Sequence, residues 1–224
     1  FIVFDDADID AAVQGALISK YRNSGQTCVC TNRILVQNTI HDVFVEKLVA
    51  ATADLKMGNG LDDDVQQGPL VNEKAVEDVD RLVRLSTEAG AQVVRGGMRS
   101  DLGPCYYQPT VLTGITSDMA VFRNEIFGPV APVMSFADEA EAIALANETE
   151  FGLASYFYTR DIGRVWRVSE ALDYGMVGVN EGIISNEMAP FGGVKASGSG
   201  REGSKYGIDD YLEIKYILMG GLDR

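Results

Sequence analysis

Two cysteines stand one residue apart in the polar stretch NSGQTCVCTN, residues 23–32, here called the Cys28 loop. A thiolate is a strong nucleophile, and backbone N–H groups, positive charge or a nearby base stabilise it. Asn23 and Gln26 flank Cys28, and Arg22 precedes the loop. These polar neighbours favour a nucleophile at Cys28, whereas a buried packing residue is the commoner role of a free cysteine.

The other groups that cysteine chemistry needs are scarce in this sequence. His41 is the single histidine and starts a predicted helix, so a Cys-His dyad of the thiol-hydrolase kind is not expected. Cys28, Cys30 and the distant Cys105 lack the paired spacing of a zinc site, so we predict no metal. Three cysteines are also too few for a disulfide framework. If Cys28 is a nucleophile, its base should be a carboxylate.

A second stretch, NEIFGPVAPV, places Glu125 and Phe127 ahead of a Gly-Pro turn and a strand. A carboxylate can accept hydrogen bonds from ribose hydroxyls, and an aromatic ring can pack on a nicotinamide. From spacing alone, an ordinary loop with Phe127 in the core is the favoured interpretation. The G-x-G-x-x-G pattern at residues 198–203 is rejected as a dinucleotide site, because a loop rather than a strand precedes it.

Strand-like and helix-like segments alternate along the sequence and must position these loops. FIVF at residues 1–4 predicts a buried strand, and a helix follows from Asp8 to the Cys28 loop. RILVQ and the segment at residues 39–55 repeat this pattern, which continues to GMVGVN. The order predicts an α/β fold with an open, mostly parallel sheet flanked by helices. The alternating DDYLEIKYILM predicts a C-terminal strand that pairs with another subunit.

The composition excludes several classes of partner. With 224 residues, 46% of them hydrophobic, the chain can bury a sizeable core. Its 19 basic residues face 33 acidic ones, for a net charge of −14, so neither nucleic acid nor a membrane surface is expected as a partner. No apolar stretch reaches the length of a membrane span and no signal segment opens the chain, so a cytoplasmic protein is expected. The apolar start FIVF, without a methionine, suggests a piece of a longer chain.

Three short motifs, in this order and spacing, resemble the aldehyde dehydrogenase superfamily. GQTC resembles its nucleophile loop, EIFGPV its cofactor-side loop and PFGGVKASGSGREGSKYG its C-terminal signature. The resemblance covers essentially the whole chain. Within the superfamily, YRNSGQTCVC, NEGIISNEMAPFGG and GIDDYLEIKYI most resemble the succinate-semialdehyde dehydrogenases.

The resemblance implies oxidation of succinate semialdehyde to succinate with NAD or NADP as cofactor. Cys28 would form a thiohemiacetal with the aldehyde, and hydride transfer to the nicotinamide would leave a thioester for water to hydrolyse. The oxyanion asparagine and the general-base glutamate of the family belong to segments upstream of Phe1. By this resemblance, residues 1–208 are a catalytic domain, residues 209–224 are an oligomerisation segment, and the N-terminal cofactor-binding domain is absent from the chain.

The resemblance also implies roles for single side chains. Glu125 matches a ribose-binding carboxylate, and Phe127 matches the aromatic beside the nicotinamide. Glu202 matches a carboxylate that either relays protons in catalysis or forms a structural salt bridge. The positions that match substrate-binding residues of the succinate-semialdehyde enzymes are Arg22, Ser185 and Phe191. Cys30 either fills a small space beside Cys28 or is its redox partner in a reversible disulfide.

Two alternatives to this function stay open. Glutarate semialdehyde is one methylene longer than succinate semialdehyde, and an apolar pocket discriminates such a difference poorly. A non-catalytic oligomerisation or scaffold module could retain the same fold. For an enzyme acting on either semialdehyde we expect a dimer or tetramer, and we expect the chain alone to be inactive because most of the cofactor site lies outside it.

Overall fold

Strands and helices alternate through most of the chain. The structure, a computed structural model, describes residues 1–223. The strands are β1 (Ile2–Val3), β2 (Ile34–Gln37), β3 (Gln92–Arg95), β4 (Thr110–Thr113), β5 (Val130–Phe136), β6 (Phe151–Gly152), β7 (Ala154–Tyr158), β8 (Met176–Val179) and β9 (Val194–Lys195). The helices are α1 (Ile9–Tyr21), α2 (His41–Ala53), α3 (Glu73–Glu88), α4 (Ala120–Arg123), α5 (Glu139–Asn147) and α6 (Ile162–Ala171).

Seven strands form one sheet in the order β3-β4-β5-β2-β1-β7-β8. Neighbouring strands are parallel, except that β3 pairs antiparallel with β4 at one edge. The predicted α/β fold with an open, mostly parallel sheet flanked by helices is therefore confirmed. The sequence did not predict the separate ribbon of β6 and β9, because two-residue strands carry almost no periodic signal.

Helices cover both faces of this sheet. Ile2 of β1 packs in the apolar cluster on the side of α3, α5 and α6, whereas Val3 packs on the side of α1 and α2. Successive side chains of a strand point to opposite faces, so a strand covered on both sides is apolar at every position. This explains the uninterrupted apolar segment at the start of the chain. None of the helices within residues 1–223 has the length and apolar composition of a membrane span.

The C-terminal segment does not form the predicted strand within the single chain. Residues 212–223 contain neither a strand nor a helix, and the Ile214 and Tyr216 side chains are 100% and 81% exposed. A strand requires a neighbouring strand to pair with its backbone N–H and C=O groups, and no strand within residues 1–223 pairs with this segment. Pairing with another subunit stays a prediction, and Arg224 of the proposed oligomerisation segment lies outside the described residues.

Candidate functional site

A sharp turn after α1 delivers the Cys28 loop to the start of β2. Asn23, Ser24 and Gly25 have φ angles of 50°, 55° and 78°, in the left-handed region. Gly25 is needed for a second reason, since a Cβ atom on it would lie 2.1 Å from the carbonyl oxygen of Gly128. The close approach brings the Cys28 loop against residues 124–128, here called the Glu125 loop.

Hydrogen bonds from side chains fix the first half of the Cys28 loop. Ser24 Oγ donates to the carbonyl of Gly68 at 3.0 Å, and the Val71 N–H donates to Gln26 Oε1 at 2.9 Å. Both partners belong to the segment before α3. The glutamine of the GQTC motif is therefore a structural tie between two loops, a role that its sequence position alone did not reveal.

The second half of the Cys28 loop is fixed by the sheet and by α1. Tyr156 of β7 donates its hydroxyl to the carbonyl of Val29 at 2.9 Å. The Thr31 N–H donates to the carbonyl of Ser19 at 3.2 Å, and the hydroxyls of the same two residues are hydrogen-bonded. Cys28 thus lies between two anchored stretches of backbone, which is the support that a positioned nucleophile requires.

Cys28 lies at a cleft of about 350 Å³, here called the Cys28 cleft, which Cys30, Glu125 and Phe127 also line. The Cys28 side chain is exposed, whereas Cys30 is half-buried, with Sγ 2.9 Å from Thr27 Oγ1. The structure therefore brings together four of the side chains that the sequence singled out. All three cysteines are free thiols, so a disulfide between Cys28 and Cys30 stays a prediction.

Phe127 is not a core residue, and the interpretation from spacing alone is wrong on this point. Its φ angle of 49° is left-handed, and its side chain is 43% exposed at the Cys28 cleft. The neighbouring Ile126 fills the core instead, with 3% of its surface exposed. Glu125 on the other side of Ile126 is also exposed, so the loop presents a carboxylate and an aromatic ring to one space.

Three further predicted site residues lie together in a second, shallow recess of about 350 Å³. Ser185, Phe191 and Glu202 line it, and Phe191 and Glu202 exchange backbone hydrogen bonds of 2.9 and 2.8 Å. The structure does not place these three in the Cys28 cleft. Arg22 lines neither space, although its carbonyl lies 3.5 Å from Cys30 Sγ. The roles of these four residues stay predictions.

Lys20 is a cleft residue that the sequence interpretation missed. It lines the Cys28 cleft near the end of α1, and only 1% of its surface is exposed. Burial lowers the pKa of Lys20 to about 8, and the nearby Cys30 and Glu125 partly oppose this shift. A signal existed in the sequence, because a charged residue on the apolar stripe of a helix is a candidate functional group.

Replacing Lys20 with methionine is expected to stabilise the folded protein at pH 7. In the wild type, the pKa of Lys20 is about 8 in the folded state, below its ordinary value of 10.5. Between these two pH values the unfolded wild-type chain binds more protons than the folded one, so the stability of the wild type rises with pH across that window. At about 1.4 kcal/mol per pKa unit, the variant gains on the order of 3 kcal/mol at pH 7. Urea unfolding of the full-length protein checks this, and the gain should shrink towards pH 10.5.

The matched control is Lys47→Met, which removes an exposed lysine whose Nζ lies 2.6 Å from Asp10 Oδ1. Exposed ion pairs contribute little, so its stability should change by less than about 1 kcal/mol at every pH. A Lys20→Met gain that stays constant from pH 7 to pH 10.5 would contradict the buried-charge explanation.

The chain is similar to known proteins over nearly its whole length. The sequence model of the aldehyde dehydrogenase family matches residues 1–217. A glutarate-semialdehyde dehydrogenase of Pseudomonas aeruginosa is 61% identical over 222 residues, which are 99% of this chain and 46% of that protein. The NADP-dependent succinate-semialdehyde dehydrogenase of Escherichia coli K12 is 59% identical over 220 residues, 98% of this chain and 46% of that protein.

Solved structures of related proteins also match this chain in fold. The crystal structure of a succinate-semialdehyde dehydrogenase from Burkholderia pseudomallei superposes with a TM-score of 0.96 at 60% identity, covering 97% of this chain and 45% of that one. The chain thus spans about half the length of the relatives that it matches. By sequence and by fold, the chain belongs to the aldehyde dehydrogenase family.

Proposed function

We propose that the full-length protein containing this chain is an NAD(P)-dependent dehydrogenase that oxidises succinate semialdehyde, with Cys28 as the nucleophile. The observation that carries the proposal is the shared cleft, in which the exposed Cys28 thiol faces the same space as the Glu125 carboxylate and the exposed Phe127 ring. Relatives named as succinate- and glutarate-semialdehyde dehydrogenases, at 59% and 61% identity, support it.

The chemistry of the cycle centres on one sulfur atom. The Cys28 thiolate adds to the aldehyde carbonyl, forming a C–S bond and placing the negative charge on oxygen. NAD(P)⁺, when bound, would accept the hydride that leaves this carbon, and the oxygen would re-form a C=O bond to give a thioester on Cys28. Water then attacks the thioester, which breaks the C–S bond and releases the carboxylic acid and the thiolate, while a general base takes the proton.

Glu125 and Phe127 have the chemistry to hold part of the cofactor. A carboxylate has two oxygens that accept hydrogen bonds from ribose hydroxyls, and the exposed ring of Phe127 offers an apolar face to a nicotinamide. Two side chains are too few to bind a dinucleotide. We therefore expect residues 1–224 alone to show no turnover, and robust NAD(P)-dependent turnover by this chain alone would contradict that expectation.

The proposed substrate class rests on Arg22, which stands six positions before Cys28 in the sequence. Arg22 precedes the Cys28 loop and suits a carboxylate, because its planar guanidinium can donate two parallel hydrogen bonds. Glutarate semialdehyde is the second candidate, and the Pseudomonas aeruginosa relative with that name favours it. Both substrates carry a carboxylate at the end opposite the aldehyde, so Arg22 would serve either.

Comparison of three aldehydes in the full-length enzyme tests this proposal. We expect kcat/KM to be highest for succinate semialdehyde and lowest for uncharged butanal. The value for glutarate semialdehyde should lie within about 200-fold of that for succinate semialdehyde, the upper limit of what one methylene contributes in an apolar pocket. A higher value for glutarate semialdehyde would favour the second candidate. Equal values for butanal and the two semialdehydes would overturn the carboxylate-binding role altogether.

Removing the guanidinium at Arg22 is expected to raise KM selectively. In Arg22→Gln the KM for succinate semialdehyde should increase by about 10- to 100-fold, the effect of losing one charged hydrogen-bonded contact of about 1.5–3 kcal/mol. The KM for butanal should change much less. Arg84→Gln is the matched control, because Arg84 lies on α3 in an exposed ion pair with Glu88. A parallel increase for both aldehydes would contradict the proposed role.

We also propose that the C-terminal segment pairs with a second copy of the protein. Its apolar side chains, among them Ile214 and Leu218, alternate as in a strand and are exposed in the structure of residues 1–223. Sedimentation of the full-length protein should show a dimer or tetramer. A stable monomer at micromolar concentration would contradict this assembly.

A further inference from the structure

Asn32 joins the two loops of the Cys28 cleft through a single side-chain amide. Its Nδ2 donates to the carbonyl of Asn124 at 2.9 Å, and its Oδ1 accepts the Ile126 N–H at 2.9 Å. Only an amide side chain carries a donor and an acceptor in this arrangement. The two partners are the residues immediately before and after Glu125, so Asn32 holds the backbone on both sides of that carboxylate.

The placement of Glu125 depends on this backbone. Its side chain is exposed at the cleft, whereas Ile126 is anchored in the core with 3% exposure. Asn124 closes the end of α4, with its N–H and its Nδ2 both donating to the carbonyl of Ala120, at 3.1 and 2.9 Å. Asn32 therefore holds Asn124 and Ile126, the two neighbours of the exposed Glu125.

Asn32 is also close to the nucleophile along the chain. It stands four residues after Cys28, and the adjoining Thr31 is hydrogen-bonded to Ser19 of α1. A movement of the Glu125 loop relative to Asn32 would therefore change the separation of carboxylate and thiol. The Cys28 and Glu125 loops also meet at the other end of the Cys28 loop, where Gly25 packs on Gly128.

We propose that Asn32 is a positioning residue that fixes the Glu125 carboxylate relative to Cys28 and thereby sets the affinity of the enzyme for the ribose of its dinucleotide cofactor. The inference rests on the proposed function, in which Glu125 binds that ribose. Asn32 also lines the Cys28 cleft, but in this proposal it acts through the Glu125 loop and not by contact with the cofactor.

The test measures cofactor binding in the full-length protein by calorimetry, without turnover. Asn32→Ala should raise the Kd for NAD⁺ or NADP⁺ about tenfold, the effect of losing two neutral hydrogen bonds. Asn32→Asp should weaken binding at least as much, because it keeps the acceptor for Ile126 but places a second oxygen against the Asn124 carbonyl. The rate of Cys28 alkylation by iodoacetamide without cofactor should stay within about twofold, since the anchors of the Cys28 loop remain.

A double-mutant cycle separates positioning from general structural damage. In a Glu125→Ala background, Asn32→Ala should change the Kd by less than about twofold, because the carboxylate that it positions is gone. The matched control is Asn59→Ala, which removes an exposed asparagine whose Oδ1 also accepts a backbone N–H, that of Leu61, outside the cleft. This control should bind cofactor as the wild type does.

Two outcomes would overturn the inference: an unchanged Kd in folded Asn32→Ala, or an undiminished effect of Asn32→Ala in the Glu125→Ala background. If Asn32→Ala fails to fold, Asn32→Ser keeps one donor and acceptor and allows the same comparison. A wild-type protein that binds neither NAD⁺ nor NADP⁺ would refute the proposed function instead. The two failures are therefore distinguishable.

Discussion

Cys28→Ser in the full-length enzyme is expected to lower kcat by at least about 10⁴-fold, in line with the loss of a nucleophile in other covalent enzymes. The serine hydroxyl stays protonated at neutral pH, and it is a much weaker nucleophile than a thiolate. Within residues 1–223, the single histidine, His41, does not line the Cys28 cleft. The NAD(P)⁺ affinity should stay within about threefold of wild type, because Glu125 and Phe127 are untouched. Steady-state kinetics and calorimetry measure the two quantities.

Cys105→Ser is the matched control for this variant. Cys105 is half-buried and lies outside the Cys28 cleft. Its backbone carbonyl accepts a hydrogen bond from the Leu70 N–H at 2.8 Å, and a serine at this position keeps that carbonyl. Its kcat should stay within about twofold of wild type, because Cys105 does not line the cleft and serine is of similar size. More than a tenth of wild-type activity in Cys28→Ser would contradict the nucleophile assignment and would favour a non-catalytic module of the same fold.

Thiol reactivity distinguishes the same two functions without a substitution. In the full-length protein, a poised nucleophile at Cys28 should react with iodoacetamide well before Cys105 does. A scaffold module predicts an ordinary alkylation rate at Cys28. Exposure alone favours Cys28, so the comparison must be repeated after denaturation, where the rates of both thiols should converge.

The fold was predictable because its signals are local. The buried parallel strands are short, uninterrupted apolar segments such as ILV at residues 34–36, and Asp8 supplies the cap that starts α1, with its carboxylate 3.1 Å from the Ala11 N–H. The resemblance to a family assigned Cys28 and Glu125 to one site although they stand 97 positions apart in the sequence. Local patterns alone would not have joined them.

The details of the site depend on contacts that no local pattern contains. Phe127 faces the cleft because its backbone is left-handed, and spacing suggested a core position instead. Asn32 is typical of a loop residue in sequence, and only the fold places its amide between Asn124 and Ile126, more than 90 residues away. Lys20 is part of a helical stripe, and only the fold shows that the stripe ends in the Cys28 cleft. Tertiary packing, rather than propensity, decides each of these placements.

Gly25→Ala is expected to have the largest effect on the structure of the site. A residue with a Cβ at a φ of 78° costs roughly 1–2 kcal/mol. The added Cβ would also lie 2.1 Å from the carbonyl oxygen of Gly128, a backbone atom that cannot rotate away. Overpacking of this kind typically costs a further 1–3 kcal/mol, so the free energy of unfolding of the variant should fall by about 2–5 kcal/mol in total.

Gly90→Ala separates the two causes, because Gly90 also has a positive φ, 110°, but no atom would lie within 4 Å of a Cβ atom added to it. Gly90→Ala should lower the free energy of unfolding only by the cost of a positive φ angle, roughly 1–2 kcal/mol. The excess loss in Gly25→Ala measures the contact between the Cys28 and Glu125 loops. Since the loops must separate to admit the methyl group, Gly25→Ala should also weaken NAD(P)⁺ binding, whereas Gly90→Ala should not. Equal losses of stability and equal cofactor affinities in the two variants would show that the loops are not held together at Gly25.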